Sequence, residues 1–155
     1  MYLKRAVEAY QKAGGTVPQT GTEKKKAAWE GSVPAIRKLT LEIGGFFKGS
    51  EIRTVLLGGN EPVLWIEHPL ERDKKKPEIR TLEQKTRDAF LGEFRKIGIE
   101  KWKKQYRNDF VLDGESWEFS IGYEDGKTVK YNGSNAYPSG FGRLCALMGR
   151  TGDEE

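Results

Sequence analysis

Apolar residues change their spacing several times along this chain, and the clearest period lies between Val111 and Pro138. Trp117, Phe119, Ile121 and Tyr123 alternate with Glu118, Ser120 and Gly122, the period of two expected of a strand with one buried face. Val129 and Tyr131 stand between Thr128, Lys130 and Asn132 on a return strand. A two-residue Asp125-Gly126 turn would pair Ile121 with Lys130 and turn Val129 to the wrong side. A three-residue loop, Glu124-Asp125-Gly126, pairs Ile121 with Val129 and Phe119 with Tyr131, and puts Gly126 at the left-handed position of a type I turn followed by a bulge. The spacing therefore predicts a hairpin whose aromatic ladder is interior wall, with helices pressed against it.

Other periods order the rest of the chain. Tyr2, Leu3, Ala6, Val7 and Tyr10 fall at helical spacing and stop at Gly14-Gly15, which predicts a short helix over 2–13. The stretch TVPQTGTEKKKAAWEGSVP has no sustained period and reads as a linker or mobile arm, pinned to the body by Trp29. Leu39, Leu41 and Ile43 alternate with polar residues, and Ile52 to Leu57 and Val63 to Glu67 follow after short Gly-rich turns. These read as a three-strand antiparallel meander. After the polar LERDKKKPEIR, Thr81-Leu82-Glu83-Gln84 has the form of a capping box. Phe90, Phe94 and Ile97 then mark a helix ended by Gly98, with Ile99, Trp102 and Tyr106 on a second, shorter one. Phe141, Leu144, Cys145 and Met148 mark a C-terminal helix, and TGDEE should fray.

This order predicts an α+β fold with an antiparallel sheet of about five strands and helices on one face. The expected organisation is an N-terminal helix and basic flexible arm over 1–34, one α+β domain over 35–150, and an acidic tail over 151–155. A length of 155 residues suits one domain. No run approaches the roughly 20 apolar residues of a membrane span, and the N-terminus lacks the apolar core of a signal peptide, so a cytoplasmic protein is expected. One Cys and one His leave no disulfide framework and few ligands for zinc, so neither metal nor cofactor is expected.

The net charge of +4 is mildly basic, and its distribution says more. Lys24, Lys25 and Lys26 form a run in the arm, and Lys101, Lys103 and Lys104 lie in a basic segment. Solvated faces are the favoured reading, with a phosphate-binding surface as the alternative.

GSNAYP offers backbone N–H groups and the Asn135 amide to a ligand, with Ser134 and Tyr137 beside it. The structural reading is preferred, with Asn135 bridging backbone groups, Tyr137 packing under the hairpin and Pro138 opening the helix. His68 could act as a base, but no nucleophile or paired carboxylate stands at a recognisable spacing, and a loop histidine is the better reading. Cys145, on an apolar helix face, reads as a small buried hydrophobe. GGFFKG and LLGGN lack the Gly-Lys-Ser/Thr ending of a phosphate loop.

Trp102, Tyr106, Val111-Leu112-Asp113-Gly114, Trp117, Gly126 and Gly133-Ser134-Asn135-Ala136-Tyr137-Pro138 together resemble a family of small bacterial domains with no established activity. The likeness covers roughly Phe90 to Met148, and Phe46-Phe47 is similar too. The arm before Ser32, and Gly140 and Gly142 around Phe141, depart from that pattern. The expected function is a small non-enzymatic protein-binding module, such as an inhibitor, immunity or accessory protein of a bacterium or its mobile elements. Ser134, Asn135, Tyr137, His68 and Trp29 are its candidate binding residues. The alternatives are nucleic-acid binding through Lys24, Lys25, Lys26, Lys101, Lys103 and Lys104, with a Trp stacking on bases, and an enzyme with its site at GSNAYP.

Overall fold

The computed structural model describes residues 21–45, 49–71, 76–110 and 114–150. The helix expected over 2–13, the Phe46-Phe47 pair, Val111 to Asp113 and the acidic tail lie outside these residues.

A mixed seven-stranded sheet carries the fold, in the order β4-β3-β2-β1-β6-β7-β5. The strands are β1 (Ile36–Gly45), β2 (Gly49–Leu56), β3 (Val63–Glu67), β4 (Glu78–Arg80), β5 (Gln105–Arg107), β6 (Glu115–Tyr123) and β7 (Thr128–Ser134). The expected meander forms as β1, β2 and β3. The expected hairpin forms as β6 and β7, with Ile121 opposite Val129 and Phe119 opposite Tyr131. Gly126 sits at φ +87°. Asp125 Oδ1 accepts from Lys127 N at 3.0 Å, and Tyr123 N donates to Lys127 O at 2.9 Å, which closes the three-residue loop.

The two extra strands correct the expected sheet of about five antiparallel strands. Both are three residues long and sit at the sheet's edges. Every residue of β4 is exposed, so no alternation marks it in the polar stretch before Thr81, and short charged edges are how sheets resist further pairing. β5 runs parallel to β7. Its Tyr106 follows Trp102 by four residues, which imitates a helical period. Only the single turn Ile99–Lys101 is helical there.

Among the described residues three α-helices cover one face: α1 (Gly21–Ser32), α2 (Arg87–Arg95) and α3 (Phe141–Leu147). α1 falls where the pattern reads as linker, because its side chains from Glu23 to Ala28 are all exposed and leave no apolar period. α2 starts later than the capping box predicts. Its N-cap is Thr86, whose hydroxyl accepts from Ala89 N at 3.2 Å. Thr81 to Gln84 form a loop that drops Leu82 into the core. Arg87 fastens the start of α2 to the sheet, donating to Leu57 O at 3.0 Å, to Ile36 O at 3.1 Å and to Pro34 O. Gly140, at φ +87°, turns the chain into α3.

The core lies between these helices and the inner face of the sheet. Leu39, Leu41, Val55, Leu64, Phe119 and Ile121 come from the strands, and Phe90, Phe94 and Leu144 from the helices. Trp29 packs its ring 5.7 Å from Phe94, which lies 6.3 Å from Phe119, so α1 is pinned as its tryptophan predicts. Arg53 is buried among these apolar groups at 2% exposure. Glu51 neutralises it, and its guanidinium donates to Met148 O at 3.2 Å, at the C-terminal end of α3 where a cation is favoured. No helix among the described residues is long and apolar enough to cross a membrane.

Candidate functional site

The loop after β7 is where most of the sequence's candidate residues meet. Asn135 adopts a left-handed φ of 55°. It bonds Glu115 twice: its N–H donates to Glu115 O at 2.9 Å, and its Oδ1 accepts from Glu115 N at 2.8 Å. The amide thus extends the β6–β7 ladder by one side-chain rung. A Cβ on Gly114 would sit 1.2 Å from Asn135 Oδ1, which explains the glycine there. Trp117 and Trp102 donate their indole N–H groups to Ala136 O and Ser139 O, both at 2.9 Å. The Trp102 ring lies 6.0 Å from Trp117, 5.7 Å from Tyr131 and 6.4 Å from Phe141. The tryptophans and the GSNAYP loop are therefore one packing unit in which buried polar atoms satisfy each other.

Tyr137 is 44% exposed rather than tucked under the hairpin. Its ring stands 5.0 Å from Phe141, and its hydroxyl donates to Glu115 Oε1 at 2.8 Å. Burial and this bond push its pKa up to about 12. Cys145 is buried, and desolvation raises its thiol pKa, which favours the unreactive thiol form.

On the outer face of the sheet, away from the helices, two adjoining cavities of about 480 Å³ and 530 Å³ share Gly44, Ser50, Ser116 and Ser134. The floor is a row across β2, β1, β6 and β7 in which every side chain is small or missing. Taller polar side chains, Glu42, Glu118, Asn132, Gln105 and Arg107, wall the first cavity. Leu70, Glu115 and Asn135 wall the second. The walls are largely charge-compensated: Glu118 faces Lys130 at 3.9 Å, and Arg107 faces Asp109 at 3.4 Å.

Of the large exposed side chains, one lines this groove and two belong to segments bonded to its lining residues. Leu70, 79% exposed, lines it. Tyr137 is tied to its wall through Glu115. Phe110, 98% exposed, belongs to the turn after β5, which is fixed to the groove by Asn108 N donating to Ser134 O at 2.9 Å. Volumes in this range suit a docked side chain or small ligand.

The structure thus brings Ser134, Asn135 and Tyr137 to one place and sets the other candidates apart. His68 is half-buried just beyond β3, lines neither cavity, and its imidazole bonds no other described residue. Trp29 lies on the opposite, helix-bearing side, and its indole N–H is buried without a partner among the described residues. Lys24, Lys25 and Lys26 are exposed on α1, which packs on the Ile99–Lys101 turn, so the arm and the second basic segment are neighbours. Lys104 lies over the Tyr131 ring at 4.4 Å. No group of three or more His, Cys, Asp or Glu among the described residues could hold a metal ion.

Leu70, Phe110 and the small floor were not legible as a site. Gly44, Ser116 and Ser134 fall on the outward phase of their strands, but only the pairing of β6 with both β1 and β7 aligns them. No family model, curated protein or solved structure matches this chain.

Proposed function

We propose that this chain is a small non-enzymatic protein-binding module, of the inhibitor, immunity or accessory kind, that grips its partner at the groove on the outer face of the sheet. The observation that carries this reading is the exposed Leu70 beside a small-residue floor, with the exposed Phe110 and Tyr137 on segments bonded to Ser134 and Glu115 of its lining. Apolar anchors around a concavity with a polar rim are what protein interfaces concentrate their binding energy in. Asn135 and Ser134 serve there as backbone scaffolding that holds the rim, rather than as reacting groups. Each anchor sits in a turn or loop at the end of a strand, and those of Phe110 and Tyr137 are bonded to Ser134 and Glu115.

The test is capture of a partner by the immobilised full-length chain from cells of its natural source, repeated with Leu70→Ser and Phe110→Ser. Each anchor is exposed, so both variants should keep their fold. Losing an anchor of this kind costs about 2 kcal/mol, roughly thirtyfold in affinity. A stoichiometric partner retained equally by wild type and both variants would remove the groove from consideration.

A second reading is favoured by the packing of α1, which carries the exposed Lys24, Lys25 and Lys26, on the Ile99–Lys101 turn, which leads into Lys103 and Lys104. Such a surface would bind nucleic acid through its phosphates, with affinity falling steeply as salt rises. Absence of DNA or RNA retardation at low salt ends that reading.

A further inference from the structure

The half of the outer face formed by β2, β3 and β4 carries Ile52, Leu56, Val63, Trp65 and Ile79 with no described element over them. Leu56 is 43%, Val63 37% and Ile79 66% exposed, while Ile52 and Trp65 are half-buried by their neighbours. Strand register sets these positions in three rows. Lys38 is opposite Leu56, which is opposite Val63; Thr40 is opposite Thr54, Trp65 and Ile79 in turn; Glu42 is opposite Ile52, which is opposite Glu67. The patch is therefore apolar in its middle, basic at the Lys38 end and acidic at the Glu42 end. Neither the Lys38 nor the Glu42 side chain has a hydrogen-bond or ion-pair partner among the described residues.

We infer that a second copy of this chain covers this face, in a two-fold dimer whose axis lies between the sheets along the row of Thr40, Thr54, Trp65 and Ile79. Rotation about that line reverses the strands while keeping their order. It sets Trp65 and Ile79 against their own counterparts, Leu56 against the partner's Ile52, Val63 against the partner's Glu67, and Lys38 against the partner's Glu42, each of the last three contacts occurring twice. A two-fold axis along the strands, centred between β2 and β3, would instead set Ile52 against the partner's Glu67 and leave Lys38 and Glu42 facing the uncharged ends of the partner's β4, so the Lys38–Glu42 pairs favour the first arrangement. Two sheets stacked in this way, about 10 Å apart with strand directions within about 30°, form the ordinary aligned sandwich, and self-complementarity of this kind is what a two-fold interface requires. The row of Gly44, Ser50, Ser116 and Ser134 lies one step beyond the acidic end, so the dimer adjoins the groove at Glu42, which walls the first cavity, but it does not require that another protein bind there.

Sedimentation of the full-length chain over the micromolar range tests the pairing, with circular dichroism to confirm the fold of each variant. Wild type should sediment as a dimer. Ile79→Asp should weaken dimerisation by tenfold or more, since it sets two carboxylates against each other beside Trp65. Lys38→Glu and Glu42→Lys should each weaken it by about tenfold, and the double variant Lys38→Glu/Glu42→Lys should restore it. A chain monomeric at every concentration overturns the inference, whether residues 1–20 or an unrelated protein occupies the face. A dimer indifferent to Ile79→Asp overturns the choice of face, and a double variant that is not restored overturns the orientation.

Discussion

Replacing Gly133 by Ala examines the packing unit on which the groove is built. A Cβ at position 133 would lie 2.3 Å from Trp117 Nε1, 2.5 Å from Trp117 Cε2 and 2.7 Å from Ala136 O. Those atoms are also the two ends of the Trp117–Ala136 hydrogen bond, so neither can retreat without breaking it. Trp117 is 3% exposed and packed against Phe141 at 4.8 Å, which leaves the indole nowhere to go. Overpacking a filled core costs about 1–3 kcal/mol, and a lost neutral hydrogen bond about 1 kcal/mol more. The sum, about 2–4 kcal/mol, should lower the melting temperature by roughly 4–16 °C for a domain of this size. Gly142→Ala in α3 is the control, because nothing lies within 4 Å of its Cβ and alanine favours a helix by about 0.5–1 kcal/mol. Urea unfolding of the three proteins measures both changes. A Gly133→Ala midpoint equal to wild type at unchanged slope would refute the claim that the indole lies over that glycine.

Gly126→Val should cost about 1–2 kcal/mol, because a β-branched residue is strained at φ +87°, whereas Gly126→Asn should cost less; thermal unfolding compares them. Trp29→Ala should cost about 1–3 kcal/mol, at the low end for a tryptophan because its ring is only half-buried. It should also speed amide exchange across α1, and exchange unchanged there would mean that Trp29 does not pin the helix. Burial above all holds the Tyr131 pKa up from 10.0 to about 12. The folded state therefore keeps its proton where the unfolded state loses it, and this contribution to stability is complete below pH 10 and is lost as pH rises toward 12. The fall in the urea midpoint between those values should be shallower in Tyr131→Phe.

Local alternation made the hairpin and the meander legible, because Phe119, Ile121, Leu39 and Leu41 each present a single face to a single core. Gly98, at φ +82° after α2, and Gly126 were legible as well, since each sits where the backbone needs a residue without Cβ. The capping position was misread because Thr81 and Thr86 both precede apolar residues, and tertiary contacts, Leu82 in the core and Arg87 on the ends of β1 and β2, decide between them. β4 and β5 were hidden because three-residue edges stabilised by long-range pairing carry no period of their own. The resemblance built on Trp102, Tyr106, Trp117 and GSNAYP gathers residues that prove to touch: Tyr106 lies 6.2 Å from Trp117, and both indoles bond the loop. Of the groove, Ser134, Asn135 and Tyr137 could be read from their motif. Its floor could not, because residues more than sixty positions apart in the chain become neighbours only through the pairing of β1 with β6.

The proposed role stands or falls on whether another protein touches the rim of the groove. A photo-reactive amino acid at position 110, in place of the exposed Phe110, should yield one discrete covalent adduct with another protein in cells of the natural source. The same group at position 127, on the exposed hairpin tip, should yield none. Adducts of equal strength from both positions, or none from position 110 while the protein is folded and abundant, would contradict the account.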